Sequence, residues 1–114
     1  MSSVEDVKNK IAKDIESNPV ILFMKGSKLM PQCGFSAKVV HILKQLGVQF
    51  ETRNVLEDDN LRQGIKEYSD WPTIPQLYVN KEFIGGCDIV TELYQEGELE
   101  TLLKPYISSC SSDM

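Results

Sequence analysis

Trp71-Pro72-Thr73-Ile74-Pro75-Gln76-Leu77-Tyr78-Val79-Asn80-Lys81-Glu82-Phe83-Ile84-Gly85-Gly86-Cys87-Asp88 is the stretch that decides the fold. Pro72 and Pro75 make residues 71–75 a rigid connector, because proline neither donates to a sheet nor sits inside a helix. Gln76-Leu77-Tyr78-Val79 and Glu82-Phe83-Ile84 read as two short strands. Asn80-Lys81 between them is a two-residue hairpin turn. Gly85-Gly86 then turns the chain into a last helical region, from about residue 87 to 106, with a break near Gly97.

Upstream of the hairpin, helices and strands alternate. Val4, Val7, Ile11 and Ile15 recur at helical spacing with charges between them, which predicts an amphipathic helix over 3–17. Asn18-Pro19 ends it. Val20-Ile21-Leu22-Phe23-Met24 is a continuous apolar run, short enough for a strand buried on both faces. Residues 25–32 form a loop. Phe35, Val39, Leu43 and Leu46 mark one face of a second helix that stops at Gly47. Residues 48–55 alternate and read as a strand. Asp58-Asp59-Asn60 offers N-caps for a third helix running to about Ser69. The order αβαβαββα places a parallel βαβ unit, with a right-handed crossover, before an antiparallel hairpin. The expected fold is α/β and thioredoxin-like: a central four-stranded mixed β-sheet flanked by helices on both faces.

The chain has 114 residues, enough for one domain with a modest core, expected over residues 1–107. Residues 108–114, which include Cys110, form a short polar tail expected to fray. A net charge of -5 argues against nucleic acid and against a polybasic membrane patch. No apolar run reaches the length of a membrane span. The start has no basic region followed by an apolar stretch, so the expected location is the cytoplasm; a processed form in the mitochondrial matrix is the alternative. Three cysteines are an odd number and suit a reducing compartment, where free thiols do chemistry.

Met30-Pro31-Gln32-Cys33-Gly34-Phe35-Ser36 carries half of a dithiol motif. Ser36 stands where Cys-x-x-Cys would place its second thiol, and a hydroxyl cannot resolve a mixed disulfide. Chemistry here must use the single thiolate of Cys33 and take a second sulfur from elsewhere. Cys33 lies at the predicted start of the second helix, where unpaired N–H groups and the helix dipole favour negative charge. Lys25, at the end of the buried strand, can place an ammonium nearby. A buried structural cysteine is the bland alternative; the polar loop before it argues for exposure.

Together, Cys33-Gly34-Phe35-Ser36, Trp71-Pro72-Thr73-Ile74-Pro75 and Gly85-Gly86-Cys87-Asp88 resemble the monothiol glutaredoxins of the Cys-Gly-Phe-Ser (CGFS) type. The resemblance covers residues from about 4 to 105, in the order and spacing of that family, and implies a single-domain member. The loop Gly26-Ser27-Lys28-Leu29-Met30 lacks a proline often found there. The resemblance implies glutathione binding, a [2Fe-2S] cluster, a role in cluster delivery or iron homeostasis, and BolA-type partners. It maps functional roles onto Lys25, Cys33, Arg62, Ile74, Cys87 and Asp88, and gives none to Cys110.

Physical reasons accompany each residue. Thr73-Ile74-Pro75 would offer an extended backbone edge beside Cys33, with the Ile74-Pro75 bond expected to be cis, so that a peptide such as glutathione can pair with Ile74 as an added strand. A turn without a ligand is the alternative. Gly85 and Gly86 let the backbone approach a ligand, and a helix beginning at Cys87 and Asp88 has N–H groups for a carboxylate. Asp88 can receive the amino group of the γ-glutamyl part, cap the helix, or do both. Cys87 is either a packing residue or a resolving thiol, and packing is favoured. Arg62 and Lys25 can pair with carboxylates of the tripeptide, though each alone reads as a surface charge. Trp71 is expected to pack under the connector and shape the groove without touching ligand. Phe35 and Tyr78 are expected as wall or core residues, and His41 as a surface residue rather than a metal ligand.

Ligand counting links site to function. A [2Fe-2S] centre usually takes four thiolates. Cys33 offers one and bound glutathione a second, so two half-sites complete the set. Cluster binding therefore predicts a bridged homodimer with Cys33 as the metal ligand, a labile cluster, and transfer to apo iron-sulfur proteins; a BolA-like protein could replace one half. The rival reading is a glutathione-dependent thiol–disulfide oxidoreductase that removes glutathione from proteins through Cys33, at most weakly active. A third class, an interaction module with Cys33 as a redox sensor, leaves residues 73–75 and 85–88 without a purpose.

Overall fold

Five consecutive apolar side chains form β1 (Val20–Met24), and every one is buried. The structure, a computed structural model, describes residues 4–107. The expected tail with Cys110 lies outside the described residues. Around β1 the chain runs α1 (Val4–Ser17), β1, α2 (Gly34–Leu46), β2 (Glu51–Asn54), α3 (Asp59–Ser69), β3 (Gln76–Val79), β4 (Glu82–Gly85), α4 (Cys87–Gln95) and α5 (Glu98–Leu103). Short 3-10 turns follow β2 and α5. The sheet order is β2-β1-β3-β4. β1 pairs parallel with β2 and antiparallel with β3, so the sheet is mixed, as expected.

The pleat of β1 divides the protein into two cores. Val20, Leu22 and Met24 point to one face, against α2, α4 and α5 through Val39, Leu43, Val90, Leu99 and Leu103. Ile21 and Phe23 point to the other, against α1 and α3 through Ile11, Ile15 and Ile65. Burying each such side chain is worth about 1.5–3 kcal/mol relative to exposure. This two-sided burial is why β1 reads as an unbroken apolar run. The fold is thioredoxin-like, with helices on both faces of the sheet.

Local signals place the boundaries. Gly47 ends α2 in the left-handed conformation (φ 73°). Asp58 caps α3 by accepting the Asn60 N–H at 2.9 Å. Asn80 and Lys81 both have positive φ (51° and 70°), the pattern of a two-residue turn that matches strand twist. Gly97, φ 79°, separates α4 from α5. Among the described residues no helix is long and apolar enough to cross a membrane.

Two expectations are corrected. The strand expected over 48–55 is only Glu51–Asn54; Val48 makes an isolated bridge with Ile107, and Val55 begins a 3-10 turn. Asn54 stops the strand because its Oδ1 accepts the Leu56 N–H and the Gly26 N–H, both at 2.9 Å. Phe35 does not belong to the buried face of α2 and is 62 % exposed; the first inward position is Ser36. Positions 35, 39 and 43 drift around a helix, whereas 36, 39, 40 and 43 form the true stripe.

α1 and α3 lie unusually close at Gly64. A Cβ there would stand 2.6 Å from Val7 Cγ1. An ion pair between Arg53 and Asp14 (3.2 Å) also ties α1 to β2. Gly64→Ala should therefore lower stability by about 1–3 kcal/mol through overpacking, despite alanine's better helix propensity. Adding Val7→Ala should recover most of the loss. Urea unfolding of the three chains checks this, and a more stable Gly64→Ala chain would refute the close approach.

Candidate functional site

The site starts where β1 ends. The Lys25 N–H donates to Ser36 Oγ at 3.1 Å, and Ser36 is fully buried (0 % exposed). This bond fixes the first turn of α2 against the strand. Between them, the loop closes on itself. Gln32 N–H donates to Lys25 C=O at 2.8 Å, Gly26 bridges Pro31, and Ser27 and Met30 exchange backbone hydrogen bonds. Lys28 Nζ donates to the Phe50 carbonyl and sits 4.4 Å from the centre of its ring. The anchored loop leaves Leu29 (84 %) and Met30 exposed.

Cys33 is the N-cap residue of α2, with extended backbone (φ -142°, ψ 137°), and its thiol is half-buried and free. Its pKa is held below the ordinary thiol value. The main cause is the Ser36 backbone N–H; partial burial opposes it, and the Phe35 N–H, the Lys25 charge and the Ser36 hydroxyl add to the lowering. The surrounding charge differs from that of the whole chain. Between Glu16 and Glu51 the sequence has no Asp or Glu, yet it contains Lys25, Lys28, Lys38 and Lys44.

The opposite wall is the connector before β3. The Ile74-Pro75 bond is cis. Among the described residues, no turn or cap hydrogen bond engages the backbone of Ile74. The third wall is the start of α4. Gly86 is its N-cap, and a Cβ at Gly86 would stand 3.1 Å from Pro75 C=O and 3.6 Å from Trp71 Nε1. Glycine there keeps the space open.

These walls enclose a cavity of about 510 Å³. Lys25, Cys33, Thr73, Ile74, Pro75, Gly86, Cys87 and Asp88 all line it. Arg62 does not; it lies about one turn earlier on α3 than Lys66, which does. Sequence reasoning missed Lys66. Its only signal was helical spacing from Arg62, and which lysine or arginine reaches the cavity depends on how α3 sits. Trp71, expected to pack under the connector and shape the groove, does form part of the cavity wall, with Phe35; it is 36 % exposed, and its ring meets Phe83 at a tilt of 53° with centres 5.7 Å apart.

Asp88 is exposed in the first turn of α4, directly after Cys87, and lines the cavity. Cys87 is buried in the α2–α4 core, with Sγ 3.9 Å from Thr91 Oγ1, while one side of it faces the cavity. Tyr78 belongs to the core, packed on Phe23, Tyr68 and Phe83, and burial pushes its phenol far up. His41 is exposed on α2. Among the described residues no three His, Cys, Asp or Glu side chains converge on a point that could hold a metal ion.

The glutaredoxin family model matches residues 20–84. A monothiol glutaredoxin of Synechocystis is 59 % identical over 104 residues, covering 91 % of this chain and 97 % of that protein. The mitochondrial monothiol glutaredoxin-5 of Saccharomyces cerevisiae is 55 % identical over 102 residues, covering 87 % of this chain and 68 % of that protein. The solution structure of reduced apo GrxS14 from poplar superposes with a TM-score of 0.78 at 53 % identity, covering 90 % of this chain and 94 % of that one. With its single cysteine at the start of α2 and these relatives across nearly all of its length, the chain belongs to the glutaredoxin family, among the monothiol glutaredoxins.

Proposed function

We propose that the protein binds glutathione in the cavity beside Cys33 and, as a pair of glutathione-loaded protomers, carries a labile [2Fe-2S] cluster as cargo. The observation that carries this reading is the meeting of a thiol of lowered pKa with an unpaired peptide edge and charges of both signs in one cavity. Ile74 would pair with the tripeptide backbone, flanked by Thr73 and Pro75. Lys25 and Lys66 would take a carboxylate. Asp88 would receive the free amino group, and the N–H groups after Gly86 the neighbouring carboxylate. The glutathione sulfur would then lie next to Cys33. Arg62 lies outside the cavity lining, and Lys66 takes the place on α3 expected for it.

The donor set fits a shared cluster. Cys33 is the half-buried thiol of the cavity, and Cys87 is held in the core. Four thiolates therefore require two chains and two glutathiones. Ligands that diffuse away suit a carrier handing its cluster to apo iron-sulfur proteins, within iron homeostasis. A BolA-like protein taking the place of one protomer would give a heterodimer. Residues 1–107 form the domain in this reading and 108–114 a tail; the cytoplasm is the expected location, with the mitochondrial matrix as alternative.

The lowered thiol pKa also favours a second reading, glutathione-dependent thiol–disulfide exchange. The Cys33 thiolate attacks the glutathione sulfur of a glutathionylated protein and releases the protein thiolate. A second glutathione thiolate then attacks the Cys33 mixed disulfide, giving glutathione disulfide and free Cys33.

Anaerobic mixing with ferrous iron, sulfide and glutathione should yield a coloured species with the mass of a dimer, reverting to colourless monomer when glutathione is removed. Brisk deglutathionylation without colour would overturn the carrier reading. Cys33→Ser should abolish both colour and exchange, whereas Cys87→Ser should keep most of the colour.

Alkylation of Cys33, followed by mass spectrometry against pH, tests its environment. The depressed pKa means more thiolate at any given pH, so the inflection should fall at lower pH in the native chain than in urea. Lys25→Ala should move it upward only part of the way, because the Ser36 N–H remains. Coincident native and unfolded titrations would contradict the helix-start account.

A further inference from the structure

Gln76 is a polar side chain with no exposed surface, at the first position of β3. It lies on the same side of the strand as Tyr78, facing the layer of α1 and α3. Its Nε2 donates to two backbone carbonyls, Trp71 C=O at 3.1 Å and Thr73 C=O at 3.0 Å. Its Oε1 is buried without a partner. Reversing the amide would set the oxygen against both carbonyls, so the donors must point this way.

Both carbonyls belong to the 71–75 connector, which lines the cavity over its whole length. That connector has few other restraints. The Trp71 N–H reaches Lys66 C=O and Ser69 Oγ at its entrance. Pro72 and Pro75 have no N–H to give. Among the described residues, no turn or cap backbone bond engages Thr73 or Ile74. One buried amide therefore clips the connector from behind, at two points on either side of Pro72. An apolar side chain of the same shape would avoid the orphaned oxygen, but it would leave the two carbonyls unheld.

We infer that Gln76 is a positioning residue for glutathione: its amide sets the curvature of the connector, and with it the place of the Ile74 edge and Thr73 relative to Cys33. This rests on the glutathione reading of the cavity. Gln76 need not touch the ligand, and it is not among the groups that shift the Cys33 pKa.

The test compares wild type, Gln76→Met and Gln76→Glu by calorimetric titration of the reduced chains with glutathione between pH 5 and 7.5, with Cys33 alkylation and urea unfolding alongside. Gln76→Met keeps the shape and removes both donors, so affinity should fall at least tenfold while the Cys33 inflection stays in place. Gln76→Glu buries a carboxyl whose pKa burial raises. Ionised, it repels the two carbonyls; protonated, it offers one donor again. Its affinity relative to wild type should therefore recover as pH falls, while the ratio for Gln76→Met stays flat. A merely structural loss would not track that proton, and Gln76→Glu keeps the inference testable should Gln76→Met fold poorly. Equal affinity in all three chains, or a Gln76→Glu penalty independent of pH, would overturn the role of Gln76 alone. No binding by wild type would overturn the glutathione reading and this inference with it.

Discussion

The hydrogen bond from the Lys25 N–H to the hydroxyl of the buried Ser36, 3.1 Å long, joins the end of the central strand to the first turn of α2. Much of the site depends on where that turn begins. Cys33 precedes it by one residue, and the N–H groups that favour its thiolate belong to Phe35 and Ser36. The serine thus has two consequences in one side chain. It withholds the second sulfur that an internal disulfide would need, and it supplies an acceptor that a thiol would supply poorly. The single-thiol chemistry and the placement of that thiol share a residue.

β1 makes this placement rigid. Its side chains alternate between two cores, so strand end, loop and helix start are clamped from both faces. The cavity opens at the carboxyl end of this strand, between segments far apart in sequence: the start of α2, the connector before β3 and the start of α4. Each has a device against collapse. Lys28 holds the loop on Phe50, Gln76 holds the connector, and Gly86 lacks the side chain that would fill the gap.

Features set by neighbouring residues could be read from the sequence. The apolar run of β1, the glycine stop after α2, the Asp58 cap and the Asn80-Lys81 turn each depend on a few adjacent positions. The three motifs also placed most of the cavity wall, because each folds as a unit. What escaped depends on packing. Phe35 looked like core because its spacing to Val39 and Leu43 is helical; only the position of the sheet makes Ser36 the inward residue. The strand expected over 48–55 ended early because Asn54 binds Gly26, almost thirty residues away in sequence. Arg62 and Lys66 are equivalent in composition.

The near-contact of Gly64 with Val7 has a reach beyond the two helices that make it. Lys66 follows Gly64 by two residues on a stiff helix, and it supplies a positive charge on the α3 side of the cavity. The thickness of the N-terminal helix thus works as a shim beneath that lysine. It sets the height from which the ammonium addresses whatever lies in the cavity, although no residue of that helix lines it.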